Sequence, residues 1–355
     1  MTGEAQPTRT ELYSGVRPVE DRHRIDADRL TAWMAANVEG FEGPLDIRQF
    51  KGGQSNPTYQ LATPSRTYVL RRKPPGRLLP SAHAVDREFK VISALHPTGF
   101  PAPRPYALCA DEGVLGTMFY VMDKVEGRIF WDQTLPELAP AERHAVFMAK
   151  LKTLADLHNT DCDAIGLGDW RRPGTYVARQ IDRWSKQYRA SETMRHEAME
   201  RLIDWLPRTA PDQDRTSVVH GDYRLDNMVI HPTEARVVAV LDWEIATVGD
   251  PLADFTYLLS NWINGAIPPQ ALADGGLPSQ DEFVAEYCRL TGRPGLAHLD
   301  WYFAYNLFRS AAICQGIVGR IRDGTANSPT AAENEARVPV LAAMGWDYAR
   351  RAGAA

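Results

Sequence analysis

Residues 217–250 interrupt a helix-rich second half with short β-branched runs, and the irregular segment between those runs carries a spaced set of oxygen-bearing side chains. Ser217-Val218-Val219 leads into His220-Gly221-Asp222-Tyr223-Arg224-Leu225-Asp226-Asn227, and Met228-Val229-Ile230 leaves it. His231-Pro232-Thr233-Glu234 then turns the chain, and Val237-Val238-Ala239-Val240-Leu241 returns it to Asp242. Asn227 follows Asp222 by five residues, and Asp242 follows Asn227 by fifteen. Such a hairpin holds Asn227 and Asp242 side by side, where one hard cation would contact both oxygens. Asp222 falls on the turn between strands, where it would accept or orient the proton of a substrate hydroxyl. A carboxylate beside an acceptor hydroxyl and two oxygen ligands for Mg²⁺ are what phosphoryl transfer from a nucleotide requires. His220 is expected to pack and hydrogen-bond behind the loop. H-x-D-x-x-x-x-N alone is a common pattern, so its weight comes from the flanking strands, from Asp242 and from a glycine-rich loop upstream.

That loop is Lys51-Gly52-Gly53-Gln54-Ser55-Asn56-Pro57. It lies between the alternating run Leu45–Phe50 and the strand-like Thr58–Leu61, with a third strand at Thr67–Arg71. Gly52, Gly53, Gln54, Ser55 and Asn56 would cover the phosphates of ATP, because glycines let backbone N–H groups approach an anion. The loop has neither the G-x-G-x-x-G nor the P-loop spacing, and a plain hairpin turn explains it almost as well. Alternation in the third strand puts Val69 and Arg71 on one face. Val69 would then roof the adenine while Arg71 reaches the phosphates, with Arg72 and Lys73 as adjacent alternatives. Glu88 lies on the following helix, where Val85, Phe89, Ile92 and Leu95 form an apolar stripe. It is the natural ion-pair partner of that cation, or else a surface charge.

Two more strands are expected near Arg104–Cys109 and Thr117–Met122, with Asp111-Glu112-Gly113 as their turn. Beyond a boundary at Asp123–Gly127 the chain reads as helical: Ala139–Asn159, Tyr176–Ala190, Thr193–Leu206, then 281–292, 298–322 and 333–351. The expected fold class is α+β, a two-lobed protein-kinase-like arrangement. A small N-terminal antiparallel β-sheet lobe with one helix would be followed by a larger, mainly helical C-terminal lobe. Residues 1–20 read as loosely ordered, 21–125 as the nucleotide-binding lobe and 126–355 as the lobe carrying catalytic loop, metal site and acceptor site. Asp123 and Val125 in the hinge would give backbone hydrogen bonds to adenine. Asp250-Pro251 reads as a helix cap followed by a first-turn proline, and Asp254 one turn on as support for the catalytic loop. Glu244 reads either as support for the metal site or as an exposed salt-bridge partner.

Composition narrows the partners. A net charge of −5 and the lack of any basic arm argue against nucleic acid. The four cysteines form no CxxC pair, so reduced structural thiols in a cytoplasmic protein are the plain expectation. The N-terminal stretch has no apolar core of a secretory signal, and no apolar run approaches the roughly 18 residues of a membrane span. Eight residues separate Asp242 from Pro251, too few for the activation segment with which protein kinases hold a peptide. A small-molecule acceptor follows. Residues 171–208 carry nine Lys/Arg against five Asp/Glu, which suits either a phosphate-bearing acceptor or a solvated helix face. Trp184, Tyr188 and Trp205 in the same stretch line a groove or belong to the core.

Together these residues resemble the aminoglycoside phosphotransferase-like family, over roughly residues 25–345 of the chain. Within it, Gly53–Tyr59, Leu70–Gly76, Leu79–His83 and the run from His220 through Leu258 look like the kinase-like domain fused to certain acyl-CoA dehydrogenases and its stand-alone bacterial relatives. The resemblance implies a protein-kinase-like fold with a different helical lobe and ATP with Mg²⁺ as cofactors. It also implies the hydroxyl of a 4-hydroxyacyl-CoA thioester as acceptor. An antibiotic-modifying enzyme of the same family and a catalytically silent nucleotide-binding protein are the competing readings.

Overall fold

The computed structural model describes residues 12–52, 56–74, 84–273, 275–323 and 331–355. Contacts divide the chain into two compact units that exchange segments along the sequence. One holds the chain through Thr153 together with Arg224–Ala246, and the other holds Leu154–Tyr223 and Thr247–Ala355.

The first unit is built on a six-stranded antiparallel sheet. Its strands are β1 (Val16–Arg17), β2 (Asp46–Phe50), β3 (Thr58–Ala62), β4 (Thr67–Arg72), β5 (Pro105–Cys109) and β6 (Phe119–Asp123), in the order β1-β2-β3-β4-β6-β5. The pleat sends alternate side chains of β4 to opposite faces. Tyr68 and Leu70 enter a core with Tyr59, Leu61, Phe119 and Val121, capped by Leu30, Met34 and Val38. The last three come from α1 (Ala27–Asn37) and the residue that follows it, and the helix is capped by Asp26, whose side chain accepts the N–H of Arg29. This helix is an addition to the one expected beside the sheet. Most of its apolar residues are alanines, and only Leu30 and Met34 are buried, so its stripe is short in sequence. β1, in the stretch expected to be loosely ordered, pairs with β2 at the sheet edge.

On the other face lies α2 (Val85–Leu95), which buries Val85, Glu88, Val91, Ile92 and Leu95 and leaves Phe89 half-buried. The expected turn at Asp111-Glu112-Gly113 is the start of a one-turn helix, α3 (Glu112–Leu115), with Asp111 as its cap. After β6 the chain bridges to a second hairpin. Arg128 exchanges both backbone hydrogen bonds with Ile230, at 2.7 and 2.8 Å. Gly127 precedes that bridge, where a Cβ would come within 2.3 Å of the Ile230 carbonyl. The long helix α4 (Pro140–Asn159) follows.

The second unit is mainly helical: α5 (Tyr176–Ser191), α6 (Glu197–Thr209), α7 (Pro251–Leu259), α8 (Pro269–Ala273), α9 (Gln280–Thr291), α10 (Leu299–Arg322) and α11 (Ala331–Arg351). The centre is α10, buried along most of its length and packed against α5, α6, α7 and α11. A two-stranded ribbon, β7 (Ser217–Val219) with β10 (Thr247–Gly249), leads into the 220–223 turn. A separate hairpin, β8 (Met228–Ile230) with β9 (Val237–Val240), belongs to the first unit. All four cysteines are buried and free. Among the described residues no helix is long and apolar enough to cross a membrane.

Candidate active site

In the first unit, β8 and β9 bring two of the expected ligand positions together. Met228 pairs with Val240, and the Leu241 N–H donates to the Asn227 carbonyl at 2.8 Å. Asn227 and Asp242 therefore flank one end of the same ribbon. Asp242 adopts a left-handed backbone (φ +66°), unusual for a residue with a Cβ and a sign that its surroundings hold it there. An amide oxygen and a carboxylate are hard donors of the kind Mg²⁺ takes, usually with water and phosphate oxygens completing the shell. Among the described residues no cluster of three His, Cys, Asp or Glu forms an all-protein metal site.

Arg71 lies at the centre of this unit's charges. From β4 it reaches Glu88 (Nε to Oε2, 3.3 Å) and Asp242 (Nη2 to Oδ1, 2.8 Å), and it is almost wholly buried. Burial by itself disfavours its charge, but the two carboxylates more than offset that and hold its pKa above the usual arginine value. Burial pushes the Glu88 carboxyl up to about 7, against the pull of Arg71. Glu88 also accepts the Trp243 N–H at 3.2 Å, so it fixes the backbone directly after Asp242. A surface charge would show none of this. Arg72, the adjacent alternative, points to the opposite face, where its guanidinium lies 5.6 Å from the Tyr59 ring and donates to the Arg24 and Leu115 carbonyls. Lys73 is 3.8 Å from Asp86 on the rim.

Of the glycine-rich loop, Gly53, Gln54 and Ser55 lie outside the described residues. Gly52 approaches the Tyr13 carbonyl, where a Cβ would lie 3.2 Å from the oxygen. Asn56 is fully buried and donates its side-chain N–H to Glu244 Oε2 at 3.1 Å, which ties the end of the loop to the segment after Asp242. Val69 shares the Arg71 face of β4 and is buried. In the hinge, the Asp123 N–H is taken by the Arg104 carbonyl (2.8 Å) and its carboxylate accepts the Tyr106 hydroxyl (2.6 Å). The Asp123 N–H is thus not available to a base, and Val125 is half-buried.

In the second unit, Asp222 lies on the turn that Gly221 makes possible with φ +84°, where only glycine is unstrained. Asp254, one turn into α7, accepts the N–H groups of His220 (2.7 Å) and Gly221 (2.9 Å). His220 Nδ1 in turn accepts the Asp222 N–H at 3.2 Å. Burial would raise the Asp254 carboxyl, but His158, with Nε2 3.6 Å away, and the His220 N–H hold it below the usual range. Asp250 caps α7 by accepting the Leu252 N–H, with Pro251 at the first helical position. Asp222 itself is half-buried and accepts the Tyr257 hydroxyl at 3.1 Å.

Three groups near these residues escaped the sequence reading. Tyr257 and Arg309 contact the Asp222 turn from helices whose apolar pattern gives no sign of it. Lys150 is fully buried in α4, where desolvation lowers its pKa to about 7 against the attraction of Asp226. The basic excess of 171–208 is largely spent locally: Arg171 on Asp163, Lys186 on Asp182, Arg189 on Glu200, Arg201 on Glu197 and Arg208 on Asp204. Arg179 donates to backbone carbonyls. Of the aromatics there, Tyr188 and Trp205 are core, and Trp184 lies beneath Arg309.

Comparison with known proteins shows the family. The sequence model of the phosphotransferase enzyme family (APH) matches residues 46–302. The chain is 41% identical over 353 residues to acyl-CoA dehydrogenase family member 10 of Mus musculus, covering 96% of this chain and 33% of that protein. It is 41% identical over 326 residues to family member 11 of Homo sapiens, covering 89% and 42%. The chain thus spans a third to under half the length of these curated relatives. Among solved structures, a Ralstonia eutropha protein named as a candidate aminoglycoside phosphotransferase superposes with a TM-score of 0.84 at 47% identity, covering 92% of this chain and 99% of that one. The aminoglycoside phosphotransferase APH(4)-Ia, solved with AMP-PNP and hygromycin B, shares the fold at TM-score 0.58 and 18% identity, covering 90% and 99%. An antiparallel sheet unit with Arg71 held to Glu88 and Asp242, a mainly helical unit and this coverage agree: the chain belongs to the aminoglycoside phosphotransferase-like phosphotransferase enzyme family.

Proposed function

We propose that the chain transfers the γ-phosphoryl group of ATP, with Mg²⁺, to a hydroxyl of a small molecule, and that the acceptor is a hydroxyacyl-CoA thioester of the 4-hydroxyacyl type. The observation that carries the catalytic half is the buried set Glu88–Arg71–Asp242 in the unit that also positions Asn227. The acceptor half rests on the identity to the kinase-like part of acyl-CoA dehydrogenase family members.

In this reading Asp222 accepts the acceptor's hydroxyl proton as that oxygen bonds to the γ-phosphorus. The bond from phosphorus to the β–γ bridging oxygen breaks, and ADP leaves with the electron pair. Tyr257 and the Asp254-held turn fix the base, so little reorganisation remains at the moment of transfer. Arg71 orients the α- and β-phosphates, and Glu88 keeps Arg71 in place. Gly52 through Asn56 cover the phosphates, Val69 covers the adenine, and the Asp123 carbonyl and Val125 backbone meet its edge. Asn227 and Asp242 would hold Mg²⁺, whose charge offsets that of the phosphate oxygens. A cytoplasmic, small-molecule enzyme follows from the same reading.

The Ralstonia eutropha structure favours a second acceptor, an aminoglycoside. Purified protein with Mg·ATP, offered 4-hydroxyacyl-CoA and kanamycin-type acceptors in parallel, separates the two by ADP release and phosphorylated product. A thermal shift with Mg·ATP but no product from any hydroxy-acyl or amino-sugar acceptor would instead identify a silent nucleotide-binding protein.

A further inference from the structure

Arg309 is a charged side chain on α10, 6% exposed, in a helix whose buried residues are mostly apolar or aromatic, with Asn306 and Gln315 the other buried polar ones. Its guanidinium donates to the carbonyl of Gly221, the residue before Asp222. It lies 4.7 Å from the centre of the Tyr257 ring and 5.7 Å from that of Trp184. Tyr257 is the residue whose hydroxyl binds Asp222 at 3.1 Å. Asp222 is also among the groups whose charge acts on Arg309.

A guanidinium has five N–H donors in a rigid fork and stays charged at any pH the protein meets. Among the described residues Arg309 spends one hydrogen bond on the protein. Two aromatic rings offset part of its desolvation, but rings do not satisfy in-plane donors. None of its nitrogens is among the fully buried atoms left without a partner, so the spare donors keep an opening to solvent, and a charged fork at such an opening fits an oxygen supplied by a ligand. The general base next to it fixes where that ligand's hydroxyl must be.

Resting on the phosphotransferase reading above, we propose that Arg309 selects the acceptor: it binds a carbonyl or anionic oxygen a few atoms from the hydroxyl that Asp222 serves, and its charge excludes cationic amino-sugars. A hydroxy-acid thioester has such an oxygen in its C=O group. A polyamine sugar presents ammonium groups to the same fork and is repelled in a buried site where screening is weak. The rings of Tyr257 and Trp184 lie against the guanidinium, and a lysine at the same position would lack its planar fork.

The test compares wild type, R309Q and R309K in steady-state ADP release with 4-hydroxyacyl-CoA and with kanamycin, alongside the thermal shift produced by Mg·ADP. The expected result is a roughly 10- to 100-fold fall in kcat/KM for the thioester in R309Q, mainly through KM, as for loss of one charged hydrogen bond. R309K recovers part of it, turnover of kanamycin does not fall, and the Mg·ADP shift is retained. An unchanged ratio of the two acceptors in R309Q, by equal loss or by none, assigns Arg309 to bracing Gly221 and overturns the proposal. Wild type alone decides the acceptor reading: preference for kanamycin sinks that reading and the role of Arg309 together. If wild type turns over neither acceptor, calorimetry of 4-hydroxyacyl-CoA binding with Mg·ADP present still decides, because equal affinity in wild type and R309Q overturns the proposal.

Discussion

Arg71 and Asp242, 171 residues apart in the sequence, meet at 2.8 Å, and the same guanidinium lies 3.3 Å from Glu88. One buried cation therefore joins the central strand of the sheet, the helix behind it and the residue at the end of the β9 return.

Replacing Arg71 by Met leaves Glu88 and Asp242 facing each other without a cation. Removing one partner of a buried pair costs about 3–5 kcal/mol, so R71M should unfold at a clearly lower urea midpoint, with R71K intermediate. Equal midpoints in all three proteins would show that the pair contributes nothing to the fold.

Asp222→Ala should abolish transfer, a loss of about 10²–10⁴-fold for a general base, while the thermal shift with Mg·ATP persists. Full turnover in that variant would refute its role.

Tyr257→Phe removes the hydroxyl that orients Asp222 and keeps the ring beside Arg309. A hydrogen bond to a charged group is worth about 1.5–3 kcal/mol, so kcat should fall by roughly 10- to 100-fold with KM for ATP unchanged. A fall in ATP affinity instead would place the hydroxyl's effect elsewhere.

Asp254→Asn weakens acceptance of the His220 and Gly221 N–H groups and the pairing with His158. Leaving buried donors poorly matched costs about 1–3 kcal/mol. Urea denaturation should show that loss, and kcat measured well below the transition should fall as well. A stability loss with unaltered kcat would separate the turn from catalysis.

Lys150 makes stability depend on pH. Its pKa is 10.5 in a model peptide and about 7 when folded, because burial disfavours the charged form. Between those values the unfolded chain binds more protons, so stability from this group rises with pH and is lost as pH falls from about 10.5 to about 7. The difference in unfolding free energy between K150M and wild type should therefore shift in favour of K150M as pH is lowered across that window, and level off below it. A difference independent of pH would mean that Lys150 is charged in the fold at ordinary pH.

Much of the sheet unit was legible because its signals are local. Alternation in Tyr68–Arg71 placed Val69 with Arg71, and the structure confirms the faces, with Tyr68 and Leu70 in the core and Arg72 turned away. The Asp250-Pro251 helix start follows from adjacent residues, and Asp254, one turn on, supports the 220–221 turn as expected. α1 was missed because its buried face is only Leu30 and Met34, and the alanines around them give no sharp apolar stripe. The charge excess of 171–208 misled in part, because a count of Lys and Arg does not show that Lys186, Arg201 and Arg208 each pair with an acid one turn away.

Spacing along the chain by itself determined the order Asp222, Asn227, Asp242, the shortness of the passage to Pro251 and the hairpin that aligns Asn227 with Asp242. Those relations span few residues, so backbone geometry alone enforces them. Tertiary structure decided that Glu88 is buried against Arg71 and the Trp243 N–H, that the Asp123 N–H is already used, and that Arg309 reaches Gly221 from 88 residues away. Each of these depends on which faces of separate elements pack together, and side chains remote in sequence are brought into contact only by burial of the apolar surfaces around them.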